Sequence, residues 1–254
     1  MKKIKWLVAV LSMLTFGTEA VFAEDRIVFE FTADYFSKYV WRGQNLDDDN
    51  VFQTGLSASY GGLTMGIWGS LELTNINGNN NEFTEADYWL DYSGDIPDLS
   101  GVGYSVGLIY YDFPNTMIAD TTEAYWGLNF DLPMSPSITC YHDLDEAEGT
   151  YISLGVGHTI EKIMELGPDV PLGMEMGASI GWASGSYNKY YWTTDQSKLQ
   201  DITISVSFPM EVVGWTMAPS LNYVMLVSND IREIDTYGTD SDFFLAGVSF
   251  SKRF

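Results

Sequence analysis

From Ile27 to the final residue the chain repeats one pattern, with apolar side chains at every second position and small or polar ones between. The last stretch, Phe243 to Phe254, shows it clearly. Phe244, Ala246, Val248, Phe250 and Phe254 share one parity, while Gly247, Ser249, Ser251 and Arg253 share the other. A two-residue period is that of a β-strand with one apolar and one polar face. A terminal strand ending on Phe resembles the closing strand of bacterial outer-membrane β-barrels, where the last aromatic residue is read by the barrel-assembly machinery. Phe254 is therefore the expected contact for that partner, and its deletion is expected to impair assembly.

The same alternation predicts a first strand from Ile27 to Arg42, long enough to cross a membrane with its roughly 9–11 residues to spare. Its odd positions, including Phe29, Phe31, Tyr35, Tyr39 and Trp41, are expected to face lipid; Glu30, Asp34, Lys38 and Arg42 are expected to face inward. Further segments follow at Val51–Tyr60, Leu63–Thr74, Glu85–Tyr92, Val102–Tyr110, Glu123–Phe130, Ser137–Asp143, Ile152–Ile160, Leu172–Trp182, Ile202–Phe208 and Trp215–Met225. With the two terminal strands this makes about twelve, an even number that leaves both chain ends on the periplasmic side. Long polar connections alternate with shorter ones such as Gly61-Gly62 and Pro209 to Gly214, as extracellular loops alternate with periplasmic turns. The expected fold is all-β: a single-domain, antiparallel, up-and-down transmembrane barrel over residues 24–254. A soluble β-sandwich also alternates, but a core built from Gly177, Ser179, Gly181, Ser205 and Ser207 would be underpacked.

Residues 1–23 read as a secretory signal peptide. M-K-K-I-K supplies the charged end, Trp6 to Phe16 the apolar run, and Val21-Phe22-Ala23 the small residues at the cleavage position. The apolar run is shorter than the roughly 20 residues a spanning helix needs. The chain holds 12 Lys and Arg against 35 Asp and Glu, and loss of the signal leaves 9 against 34, or −25. Such a balance excludes nucleic-acid binding, which needs a basic footprint. The acids could instead serve surface cations, solubility or a cation-preferring pore, in a barrel surrounded by outer-membrane lipid. The single cysteine, Cys140, has no partner for an internal disulfide.

The segment Tyr39-Val40-Trp41-Arg42-Gly43 resembles the Y-x-x-R-G signature found soon after the signal peptide in a family of bacterial outer-membrane barrels known as Gcw_chp. The F-Q-T-G-L-S stretch and the W-G-S and W-G-L strands that follow are similar in style. The resemblance implies an outer-membrane location and brings no established activity.

The inward parity is uneven, with the charges concentrated in the first half of the chain. Candidate pore-lining residues are Lys38, Arg42, Glu72, Glu85, Asp87, Trp68 and Trp89. Lys38 and Arg42 near the extracellular end of strand one, facing Glu72 and Glu85, would set a transverse field that orients polar solutes. The same charges could instead neutralise one another and hold the first loop, since charges inside barrels must be paired or solvated. A passive channel for small polar or cationic solutes is the leading expectation. The alternative is a structural or adhesion-type barrel sealed by Trp68, Trp89, Tyr111 and Tyr125.

No cofactor or metal motif appears. The acidic runs Asp47-Asp48-Asp49 and Asp143-Leu144-Asp145-Glu146 lack the spacing of a calcium loop and read as solvated loops. No enzyme is expected, because the only histidines, His142 and His158, fall on the outward parity with no serine beside them. The aromatic loop Tyr187 to Trp192 reads as an interfacial belt or a loop folded inward.

Overall fold

The computed structural model describes residues 26–234 and 241–254. The signal peptide and its cleavage position lie outside the described residues. The strands are β1 Val28–Phe36, β2 Tyr39–Trp41, β3 Gln44–Asp47, β4 Val51–Tyr60, β5 Leu63–Glu72, β6 Phe83–Asp95, β7 Val102–Asp112 and β8 Thr121–Phe130. They continue as β9 Ser137–Asp143, β10 Thr150–Gly167, β11 Val170–Ala183, β12 Lys198–Ser207, β13 Met210–Val212, β14 Trp215–Leu226 and β15 Asp242–Arg253. Two short helices, α1 Gly185–Trp192 and α2 Asn229–Arg232, sit in loops.

Twelve of these strands form one antiparallel ring. Each pairs with its neighbours in sequence, β1 pairs with β15, and β10 pairs with β11, so no barrel strand keeps an open edge. Closure matters because an unpaired backbone edge has no water to bond to in lipid. Phe29 and Phe254 complete the seam, each donating its backbone N–H to the other's carbonyl, at 3.3 and 2.9 Å. The start of β1 and the final residue thus meet at one rim, the periplasmic one in a barrel of this type.

The alternation sorts the side chains as the sequence pattern predicts. Leu56, Met65, Ile67, Val106, Leu108, Trp126, Leu154 and Phe250 stand exposed on the outer wall. Ser105, Thr203, Ser205, Ser207, Ser220 and Ser249 are buried on the inner wall. An apolar exterior around a polar interior inverts the pattern of a soluble fold and is the surface that an outer-membrane barrel shows to lipid. No helix among the described residues is long and apolar enough to cross a membrane, so the crossing is by strands.

The segment around Pro168 reads in sequence as a long turn. Instead β10 continues through two irregular registers to Gly167, which faces Val170 across a two-residue turn. Next to that turn on the same rim Pro209, which has no N–H to give a ladder, divides β12 from β13 and accepts from the Gly173 N–H at 2.8 Å.

The first strand departs from expectation. It ends at Phe36, and residues 39–47 leave the wall as a hairpin, β2–β3, whose only ladder is internal. Every residue from Tyr39 to Asn45 is buried. Tyr39 and Trp41, expected to face lipid, stand inside the barrel with Tyr111, Tyr125, Tyr151 and Tyr187. The physical reason is that lipid and a packed lumen both reward aromatic side chains, so parity alone does not say which side an aromatic residue occupies.

Candidate functional site: a plugged lumen

The extracellular half of the lumen is filled by the hairpin and by α1. Trp41 pairs with Gln44, and the two residues between them, Arg42 and Gly43, both have positive φ, +47° and +78°. Positive φ at both central positions marks the type I′ turn, which fits strand twist and normally favours Asn-Gly or Asp-Gly. Arg42 occupies a backbone region that branched and long residues seldom adopt.

Its side chain explains the placement. Nη1 and Nη2 of Arg42 donate to Oε1 and Oε2 of Glu123 at 2.7 and 2.8 Å, a two-pronged ion pair with both partners buried. Tyr111 donates its hydroxyl to Glu123 Oε2 at 2.8 Å, and Nη1 of Arg42 also reaches the Tyr187 hydroxyl at 3.4 Å. The guanidinium carbon lies 4.2 Å from the centre of the Tyr141 ring, 4.4 Å from Trp41, 4.6 Å from Tyr151 and 5.9 Å from Tyr187. Charge-assisted, two-pronged bonds and aromatic faces are the strong ways to hold a guanidinium away from water.

The far side of the turn rests on the opposite wall. Gln200 donates to the Arg42 carbonyl at 2.7 Å, and Val40 packs with Val224, Phe243 and Leu245. Gly43 leaves no room for a side chain, since a Cβ there would meet Leu226 Cδ2 at 2.6 Å and Asp201 Cβ at 3.1 Å. Gly43→Val therefore combines a clash with a disfavoured φ and should loosen hairpin docking by about 1–3 kcal/mol. Amide hydrogen exchange of residues 39–47 measures this, and unchanged protection would refute it.

The loop after β11, expected as a belt or an inward fold, takes the inward form. Ser184 caps α1 by accepting from the Tyr187 backbone N–H, and Tyr187 and Trp192 are buried. Tyr187 packs at a tilt against Tyr151 and Tyr191, with ring centres 5.8 and 4.5 Å away.

The candidate pore residues divide into separate groups. Lys38 stays at the rim and pairs with Asp48 rather than entering the lumen. Arg42 pairs with Glu123, not with Glu72 or Glu85. Trp68 packs on Tyr39, with ring centres 5.8 Å apart, and Trp89 lies over Gly66 on the same wall. Glu85 is within hydrogen-bonding reach of the Tyr39 hydroxyl, and Glu72 accepts from Asn77 at 3.0 Å. Asp87 is fully buried between Trp68 and Tyr111, and neither carboxylate oxygen has a hydrogen-bond partner among the described residues. Sequence reading missed Tyr141 and Tyr151, whose inward parity was overshadowed by the apolar residues beside them.

Asp47, in β3, accepts from the Asp49 N–H at 2.9 Å. Burial, with Glu72, Asp49 and Asp48 nearby, pushes its carboxyl up to about 6 despite that bond. An unconstrained Asp titrates near 3.9, so the docked hairpin holds an extra proton between that value and about 6. Its docking is then strongest below about pH 4 and weakens as pH rises through 6. After correction for intrinsic rates, exchange at residues 39–47 should quicken from pH 4 to 7, and Asp47→Asn should flatten that slope. An unchanged slope in the variant would refute the assignment.

The leading acid of each acidic run, Asp47 or Asp143, is buried and bonded internally rather than solvated, while Asp145 and Glu146 stay exposed. Asp143 Oδ1 accepts from the N–H groups of Asp145 and Ala147, and Oδ2 from the Thr121 hydroxyl. Among the described residues no group of three or more His, Cys, Asp or Glu is arranged to hold a metal ion. His142 and His158 are exposed on the outer wall; the neighbour of His142 is Thr150, with its Nδ1 2.9 Å from the hydroxyl, and that of His158 is Met176.

No family model matches the chain, and no curated protein sequence matches it. Solved structures do. A KdgM porin in complex with disordered oligogalacturonate is 9% identical, with 88% of this chain and 98% of that chain covered and a TM-score of 0.49. LpxR from Salmonella typhimurium is 8% identical, covering 89% and 99%, with a TM-score of 0.49. An outer-membrane channel from Pseudomonas putida F1 is 11% identical, covering 94% and 98%, also at 0.49. These likenesses concern barrel shape alone.

Proposed function

We propose that this chain is an outer-membrane channel for small polar solutes, preferring cations, whose resting mouth is closed by the β2–β3 hairpin. One observation carries the reading: among the described residues, the closure is made by a segment with no backbone ladder to the wall. The hairpin pairs only with itself, and side chains hold it in place. A barrel sealed for structure alone needs no separable piece, whereas a gate does. Below the hairpin the wall is lined by Ser, Thr and Gly, with Glu30 and Arg253 paired at the periplasmic end. Inward acids, among them Glu72, Glu85, Asp87, Asp91 and Asp201, outnumber the inward bases and support cation preference.

The sealed barrel remains the second reading, favoured by the density of buried aromatics around Arg42. Single-channel recording of the folded protein in planar bilayers separates the two. Intermittent, cation-selective steps are expected, and complete silence both from this protein and from a hairpin-deleted form would sink the channel reading.

A further inference from the structure

The Arg42 cluster divides into a ligand and a receptor. Arg42 and Trp41 belong to the hairpin. Glu123, Tyr111, Tyr141 and Tyr151 belong to the ring strands β8, β7, β9 and β10, and Tyr187 belongs to α1. If the hairpin leaves, what stays behind is a buried carboxylate steadied by a tyrosine hydroxyl, walled by aromatic faces, with a further tyrosine oxygen to accept a bond. That set recognises a flat organic cation carrying several N–H donors.

We propose that this box is a binding site for guanidinium-type organic cations, and that Arg42 fills it as an internal competitor. Two features beyond the box itself support the assignment. Arg42 is held at φ +47° in a turn where Asn or Asp would be unstrained, so the residue is present for its side chain rather than for the turn. The hairpin presenting it has no ladder to the barrel among the described residues, so a soluble guanidinium compound competes with side-chain contacts. A small sodium ion cannot use the two-pronged bond, and tetramethylammonium has no N–H to donate. The expected order is therefore methylguanidinium, then tetramethylammonium, then sodium. The inference rests on the channel reading only for its role in passage; the binding itself is independent.

The probe is methylguanidinium at millimolar concentration on the folded barrel in detergent. In the native sequence, exchange of the amides at residues 39–47 should rise saturably by about tenfold, as expected for competition costing the hairpin about 1.4 kcal/mol, with the ring strands unaffected. Sodium chloride at equal ionic strength should leave it unchanged. In Arg42→Ala, calorimetry should show one saturable methylguanidinium site, lost on adding Glu123→Gln. Exchange that responds equally to both salts overturns the proposal, even if Arg42→Ala binds, because the site would then be a filled cavity and not a competed one. A folded Arg42→Ala that binds nothing also overturns it, and if that variant does not fold the native titration decides alone. Binding by a barrel that never conducts leaves this site standing and removes the channel reading; conductance without competition does the reverse.

Discussion

Replacing residues 38–48 by a short Gly-Ser linker should give a barrel with sustained, stepwise, cation-selective current, where the native chain is expected to conduct only intermittently. The ring is untouched by this change. β1 pairs with β15 and β4 over residues 28–36, all before the excised segment, and β4 begins after it. Removing the hairpin takes away Tyr39, Val40, Trp41 and Arg42, which with α1 fill the extracellular half of the lumen. It leaves Glu123 and the β5–β6 acids facing water, where they attract cations. Planar-bilayer recording measures the effect. If the shortened protein folds, shown by its heat-modifiable mobility on a gel, and still passes no current, the hairpin is not the barrier.

The second large effect concerns the ion pair itself. Either Arg42→Ala or Glu123→Ala leaves one charge buried without its partner, a loss of about 3–5 kcal/mol. Because the ion pair belongs to a segment with no ladder to the wall among the described residues, that loss falls on docking, and the undocked population should rise by about 10²- to 5 × 10³-fold. Exchange at residues 39–47 and the closed time of the channel should report the same change. The double variant Arg42→Met/Glu123→Leu should recover much of the loss, since a buried ion pair is often replaceable by apolar side chains of similar volume. Strictly additive single effects would show that the two residues act apart, contrary to their geometry.

Much of the fold is legible in the chain because a barrel strand obeys a local rule. Lipid rewards apolar groups on one face and the lumen tolerates small or polar ones on the other, so Leu56 and Ser57, or Phe250 and Ser249, declare their sides by position. Even Ser137–Asp143, with only Ile138 and Cys140 clearly apolar outward, falls where the pattern predicts. The hairpin was not legible. Tyr39 and Trp41 continue the apolar parity of Phe31 and Tyr35, and the turn carries Arg-Gly rather than the usual Asn-Gly. The inward acids could be named from sequence, but the partner of Arg42 could not: Glu123 lies 81 residues away.

The sequence by itself determined a twelve-strand, membrane-spanning ring, its lipid-facing wall and its acidic interior, because a two-residue period and short connections act between neighbours along the chain. Only the tertiary structure decided that the mouth is filled, that Lys38 stays at the rim and that Arg42 crosses to Glu123. Those pairings span the ring, and they come into being only when its closure brings β7, β8, β9 and β10 around a segment that the first strand turns inward.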